Sequence, residues 1–538
     1  MDADFAAPGP GEWKLDRSHY SGGVTPISQW LLAGGMGNGF QRVFAELGVP
    51  ADRIESAFVR GFNYTRLRPL VGADRPTRKP PPTPVLWVAS RLHPEFRARA
   101  KRAARFLESS PSREVVDRWH AEIRPTLRQT NLRLQDVEPA GLDDTELEAH
   151  IVELLDLLRD NIELHFWLHG HDLGPLAQFL YESAQWGVDP RDAVEALTGA
   201  SPSTIRPRAR LYRLRVLVDA SDRPVNTLDD VRAISDEATS LLDEHLHEHG
   251  HVLATGYDLT AKTLHELPEL LLESIRTATR PPVEDGDGAA ALREQVPAAR
   301  RERFDRLLAD ARYVMDMRDD QGPITVEWPA GLLRRALLAA GERLGIGDHV
   351  LEVTPDEARS LLSSPPPADE LRARAERRVA DAALTPPATL GEPEPEPPLS
   401  ALPASLRTTV SMVQFSLRYM GMDGSSGTEP LTGTGIGTAS YTGRACVADS
   451  ADDAFARLAP GDVLVVRATS PAFNVVLSIA GAVVTVDGGA MSHAAVLSRE
   501  LGLPAVIGAP GALDITDGSM IEVDPVAGVV RCLDTAAT

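Results

Sequence analysis

The sequence predicts a multidomain protein: a mostly α region over its first three quarters, then a compact α/β domain at the C-terminal end. Three observations carry that prediction. The chain has 538 residues, more than one hydrophobic core usually organises. From Leu142 apolar residues recur at helical spacing, with Leu147, Ile151, Leu154, Leu155, Leu158 and Ile162 forming a stripe. After Gly435 short β-branched runs, such as DVLVV and AVVTV, alternate with helical segments.

Taken in order, residues 1–140 are rich in Pro and Gly and carry only a weak pattern, apart from an Arg-rich helical stretch from Glu95 to Leu107. Asp143 or Asp144 starts a helix that runs to about His169. Further helices are expected at 174–186, 190–198, 228–249, 266–279, 289–319, 329–343 and 355–363, with Gly or Pro at most breaks. Ten prolines between Pro365 and Pro403 predict an extended connector. A helical segment around Leu406–Met420 follows, then GMDGSSGTEP, a flexible tether. The expected domains are therefore 1–364, a connector and tether over 365–432, and 433–538. In the last, strands are expected at 462–466, 482–486, 505–508, 520–524 and 528–533, and helices at 450–458, 472–480 and 492–501.

Composition narrows the function. Hydrophobic residues make up 43% and charged residues 25%, which excludes wholesale disorder. A net charge of −22 repels phosphate backbones and anionic lipid, so neither nucleic acid nor membrane is an expected partner. No apolar run approaches the roughly 20 residues that cross a bilayer, and the N-terminal residues lack the basic start and apolar run of a signal peptide. With two cysteines and no disulfide framework, the expected compartment is the cytoplasm. Only four of the 55 basic residues are lysines, so phosphate chemistry here must use Arg, His, backbone N–H groups or metal.

The segment AVVTVDGGAMSHAAVLSRELGLPAVIG reads strand, Gly-rich turn, helix, strand. His493 falls in the first turn of that helix, where unpaired N–H groups attract an anion and the dipole disfavours imidazolium. A neutral ring in that position suits a histidine that accepts a phosphoryl group. Ser492 can cap the helix or bond a phosphate oxygen, and the glycines let the backbone approach a ligand. Spacing alone also fits an ordinary βαβ unit in which His493 packs or caps.

The stretches GIGTASYTGRA, PGDVLVVRATSPAF, the histidine segment and DGSMIEVDPVAGVV together resemble the phosphohistidine swivelling domain of phosphoenolpyruvate-utilising enzymes. That resemblance implies that His493 is the phosphorylated histidine, that Gly488, Gly489 and Ser492 form its phosphate loop, and that Thr469 is the threonine of a T-x-P turn. Upstream, GEWKLDRSHYSGGVTPI, ARYVMDMRDDQGPITVEWPAGLLRRALLAAGERL and PPATLGEPEPEPPLSALP resemble the substrate-binding domain of rifampicin phosphotransferase and its relatives. Arg318 then matches the arginine of that branch's R-E-x-x-K motif, but Asp319 stands for the glutamate and Gly322 for the lysine. Val252 stands where a G-x-R pattern has its arginine, so rifampicin is not the expected substrate.

No ATP-grasp or phosphoenolpyruvate-binding barrel segment is recognised. The resemblance therefore implies that no cofactor is bound by this chain, and that ATP and Mg²⁺ are held by a separate ATP-grasp partner. The acceptor is expected to be a hydroxyl of a small, largely apolar molecule. Two other readings are a regulatory or scaffold partner with a vestigial His493, and a dehydratase-like enzyme without phosphoryl transfer. In ELHFWLHGHDLGP, His165, His169 and His171 can line a substrate pocket, hold metal, or sit favourably at a helix end. HLHEHGH (His245, His247, His249, His251) divides between metal and capping, and Trp13, His19 and Tyr20 between substrate contact and anchoring the chain start.

Overall fold

A computed structural model describes residues 5–16, 20, 22–71, 82–281, 286–394, 398–419, 431–469, 473–490 and 492–533. The chain forms two compact units, each discontinuous in sequence. The first comprises residues 1–178, 258–260 and 320–414, and the second 179–257, 261–319 and 415–538. The GMDGSSGTEP tether lies outside the described residues.

The first unit is helical with a four-stranded antiparallel sheet that the weak pattern of residues 1–140 did not reveal. Its strands are β1 (Glu12–Leu15), β2 (Ala51–Val59), β3 (Phe62–Pro69) and β4 (Thr389–Gly391), in the order β2-β3-β1-β4. Arg60 and Gly61 join β2 to β3 with φ of 54° and 76°, the left-handed pair that matches the twist of a two-residue hairpin. Trp13, Phe62, Tyr64 and Leu390 bury one face. Trp13 is 5% exposed and bonds Gly9 through its indole, so it anchors the chain start. His19 lies outside the described residues.

Several helices differ from expectation for identifiable reasons. Asp144–Gln185 is one helix of 42 residues, not two meeting near His169. Its glycines serve close packing rather than a break: a Cβ on Gly170 would lie 2.4 Å from Val43, and one on Gly174 3.1 Å from Phe106. Pro175 is accommodated inside at the cost of one backbone hydrogen bond. The stretch expected as an extended connector contains the helix Ala368–Ala382. Its prolines cluster on either side, leaving DELRARAERRVADA between them, and Pro367 sits where a helix can begin. The expected 228–249 helix divides at Ser235, whose hydroxyl caps Asp236–His249. The expected 289–319 helix divides at Val296–Pro297 into Gly286–Gln295 and Arg301–Gly322. The latter continues into a π-helical turn, Pro323–Glu327, and then the helix Trp328–Leu344. Pro202–Asp219 was not anticipated, because the segment is Arg-rich and buries fully only Leu214.

In the second unit a seven-stranded mixed sheet is built from β5 (Thr434–Ile436), β6 (Tyr441–Ala448), β7 (Val463–Val466), β8 (Ala482–Thr485), β9 (Ala505–Ile507), β10 (Met520–Asp524) and β11 (Val529–Cys532). The order is β11-β10-β6-β7-β8-β9-β5, with β6 to β9 parallel and the edge strands antiparallel. Every residue of β7, β8 and β9 is buried, because both sheet faces are covered. Helices Ala451–Arg457, Asn474–Ile479 and His493–Leu501 cover one face, packing Ala454, Leu477 and Ala495 against Leu464 and Val483. Ala512, Ile515, Val523 and Val530 pack against the other.

Leu464 is fully buried on β7, so Leu464→Ala should cost about 2–5 kcal/mol. Urea unfolding of the full chain measures this, and a loss below about 1 kcal/mol would contradict the packing.

Candidate functional site

The site begins where β8 ends. Gly488 has φ +115°, and a Cβ there would lie 3.0 Å from Ser492 Oγ and 3.1 Å from Ile507. Gly508, just beyond β9, has φ +72°, and a Cβ on it would lie 2.4 Å from the Gly488 carbonyl oxygen. The two backbones therefore meet at a distance only glycine allows. Thr485 closes this junction: its hydroxyl accepts from Gly508 N–H at 3.2 Å and donates to Asp487 O at 2.8 Å. Gly489 O accepts from Ser492 N–H at 2.9 Å. Ser492 is the N-cap, its Oγ accepting from Ala495 N–H at 3.4 Å. Arg499 donates to Ala490 O at 2.6 Å, tying the loop to the helix it precedes. His493 is consequently the first residue of the helix His493–Leu501.

Both ring nitrogens are engaged. Nδ1 lies 3.0 Å from Thr469 Oγ1, and Nε2 lies 2.8 Å from Asn474 Oδ1. With Asn474 Oδ1 as acceptor, Nε2 carries the proton, and the Thr469 hydroxyl donates to the lone pair of Nδ1. Turning the Asn474 amide end for end would present its NH₂ group and reverse the tautomer. Either arrangement is a neutral ring. Burial lowers the His493 pKa from 6.5 to about 3, and the charge of Arg318 lowers it further in the same direction. The helix N-terminus adds a third influence of the same sign.

Thr469, Gly488, Gly489, Ser492 and His493 thus come together around one imidazole, and Arg318, on the helix Arg301–Gly322, lies within electrostatic reach of it. Ser470 and Pro471 of the T-x-P turn lie outside the described residues. Sequence reasoning missed Asn474. It opens the helix Asn474–Ile479, five residues after Thr469, but a single Asn carries no spacing signature.

The three histidines of the first unit separate. His171 is buried, with Nδ1 3.2 Å from Ser112 Oγ and Nε2 3.0 Å from Glu46 Oε2, so it braces the long helix. His165 and His169 stack in parallel, with centroids 5.9 Å apart. His169 Nδ1 lies 3.2 Å from Asp172 Oδ2, which also accepts from Gln321 Nε2 at 2.8 Å. His165 Nδ1 lies 3.5 Å from Thr325 Oγ1, in the π-helical turn. Glu327, also in that turn and absent from the sequence reading, is 6% exposed, and burial raises its pKa from 4.5 to about 8. Among the described residues no group of three or more His, Cys, Asp or Glu is placed to hold a metal ion. No helix of the described residues is long and apolar enough to cross a membrane.

Two titrations follow. His493 should remain neutral between about pH 5 and 8, and Arg318→Ala should move its pKa upward while burial keeps it below 6.5. Nitrogen-15 NMR of the imidazole reads both, and an unmoved pKa would place Arg318 out of reach. Glu327 titrates with the opposite sign. Its raised folded-state pKa makes its stability contribution complete below pH 4.5 and progressively lost as the pH rises to about 8. Glu327→Gln should therefore remove a decline of up to about 1.4 kcal/mol per pH unit across that window. Parallel denaturation curves at several pH values test this, and equal slopes in both proteins would refute it.

Residues 458–528 match the family model described as the PEP-utilising enzyme, mobile domain. A phosphoenolpyruvate synthase of Aeropyrum pernix is 41% identical over 90 residues, 16% of this chain and 11% of the relative. An uncharacterized phosphotransferase of Bacillus subtilis, YvkC, is 43% identical over 77 residues, 14% of this chain and 9% of the relative. An uncharacterized protein of Mycobacterium tuberculosis is 28% identical over 441 residues, covering 76% of this chain and 46% of the relative. The chain spans less than half the length of each of these relatives. The matched residues include β7, β8, β9, the glycine junction and His493 itself, so it is this segment of the chain that is similar to the mobile domain of PEP-utilising enzymes.

Proposed function

We propose that this chain is the substrate-binding and phosphohistidine-carrier component of a dikinase-like phosphotransferase. His493 accepts a phosphoryl group from ATP held with Mg²⁺ by a separate ATP-grasp protein. It then passes that group to a hydroxyl of a small, largely apolar molecule bound by the helical region. The observation that carries this reading is the neutral imidazole of His493, fixed by Thr469 and Asn474 at a helix N-terminus inside a mobile domain.

Each part has a chemical role. A ring kept neutral by burial has a lone pair available for attack on phosphorus. The capped helix start and its glycine loop offer backbone N–H groups and a favourable dipole to the phosphoryl oxygens. Arg318 supplies a positive charge to the same group, and a guanidinium can hold two of its oxygens at once. Its contribution is greatest where charge spreads over those oxygens in transfer. The scarcity of lysine agrees with a nucleotide site outside this chain, since such sites commonly place a Lys on the phosphates.

The test is incubation with Mg·ATP and a cognate ATP-grasp protein, followed by intact-mass analysis. One acid-labile phosphoryl group should appear on the wild type and none on His493→Ala. Arg318→Ala should slow transfer from the phosphorylated protein by about 10²–10³-fold, with less effect on substrate binding. An unmodified wild-type chain, or undiminished turnover in His493→Ala, would end the phosphocarrier reading.

A further inference from the structure

The first unit leaves two buried oxygen acceptors without donors in one neighbourhood. Asp172 is fully buried and its Oδ1 has no partner, and Gln321, 1% exposed, has an unpartnered Oε1. Asp172 and Gln321 are bonded to each other and flank His169, which stacks on His165. Glu327 faces the same group from the π-helical turn, and burial is the one influence on its carboxyl. Gly322 lies beside both Glu327 and His165: a Cβ there would lie 3.2 Å from Glu327 Oε1 and 3.9 Å from His165 Cε1. Buried acceptors without donors cost free energy unless a ligand or ordered water supplies O–H or N–H groups. The unfilled groups are acceptors, so the fitting ligand is a molecule bearing hydroxyls. A π-helical turn is a common way for a helix to present side chains to such a ligand.

We propose that this cluster is the acceptor site of the phosphotransferase, in which Glu327 takes the proton of the substrate hydroxyl and His165, His169, Asp172 and Gln321 position the molecule that carries it. The inference rests on the function proposed above and names the catalytic base for it. As the oxygen–phosphorus bond forms, the hydroxyl proton passes to the Glu327 carboxylate. The nitrogen–phosphorus bond breaks with its electron pair kept by the ring nitrogen. With the other ring nitrogen protonated, His493 leaves as neutral imidazole, and Glu327 returns its proton to water. A carboxyl raised to about 8 is well matched to this task, since a base is most effective when its pKa lies near the working pH.

The test charges His493 of the full-length protein with phosphoramidate, which removes the need for the ATP-grasp partner. Phenol and benzyl alcohol are then supplied as probe acceptors, and phosphorus NMR follows the loss of phosphohistidine and the appearance of phosphate ester in a single turnover. Glu327→Gln should slow ester formation by about 10²-fold or more, while uptake of phosphoryl by His493 and its slow hydrolysis stay at wild-type rates. Gln matches the neutral carboxyl in shape, so a merely structural role would survive the change, and Glu327→Asp should restore part of the rate. Ester formation at the wild-type rate in Glu327→Gln would overturn the inference, as would a charged wild-type protein that phosphorylates neither probe. Failure of His493 to take up phosphoryl at all would instead remove the phosphocarrier reading, and this inference with it.

Discussion

The meeting of Gly488 and Gly508 is the constraint on which the arrangement around His493 depends. A side chain on Gly508 would collide with the Gly488 carbonyl, and one on Gly488 would press on Ser492 and Ile507. Because neither has one, the loop after β8 lies directly on the end of β9, and Ser492 can cap the helix that His493 begins. Move the loop outward by the width of a methyl group and the cap, the histidine and its bonds to Thr469 and Asn474 shift together. The buried parallel strands hold the junction from below. Their residues are enclosed on both faces, so the ends of β7, β8 and β9 have little freedom to adjust.

Burial acts on two titratable groups in opposite directions for one reason. Taking a group out of water disfavours its charged form. For His493 that means a lowered pKa and a persistent lone pair. For Glu327 it means a raised pKa and a carboxyl that is mostly neutral until mildly alkaline pH. His171 has partners of another kind: it is buried, with its nitrogens against Ser112 Oγ and Glu46 Oε2. Five residues separate His165 from His171 on one helix, yet one faces the π-helical turn and the other is locked against Glu46.

The local pattern of the sequence determined much of the C-terminal domain. Strands of consecutive β-branched residues, a Gly-Gly turn, a Ser-His helix start and a Gly-Pro helix stop each have a local cause, and they placed Gly488, Gly489, Ser492 and His493 together, while Thr469 was added to them only by the family resemblance. The long helical stripe from Leu147 was equally legible, because a 3.6-residue period needs no partner to be seen. Only the tertiary structure decided the rest. Gly170, Gly174 and Pro175 read as a helix end until Val43 and Phe106 are found against them. The N-terminal sheet depends on β4, which pairs with β1 from more than three hundred residues away, and such pairing leaves no periodic trace in either segment. Asn474 and Glu327 were invisible for the same physical reason. Their roles arise from how close a ring nitrogen lies and how little water remains, and both are properties of packing that no single residue type announces.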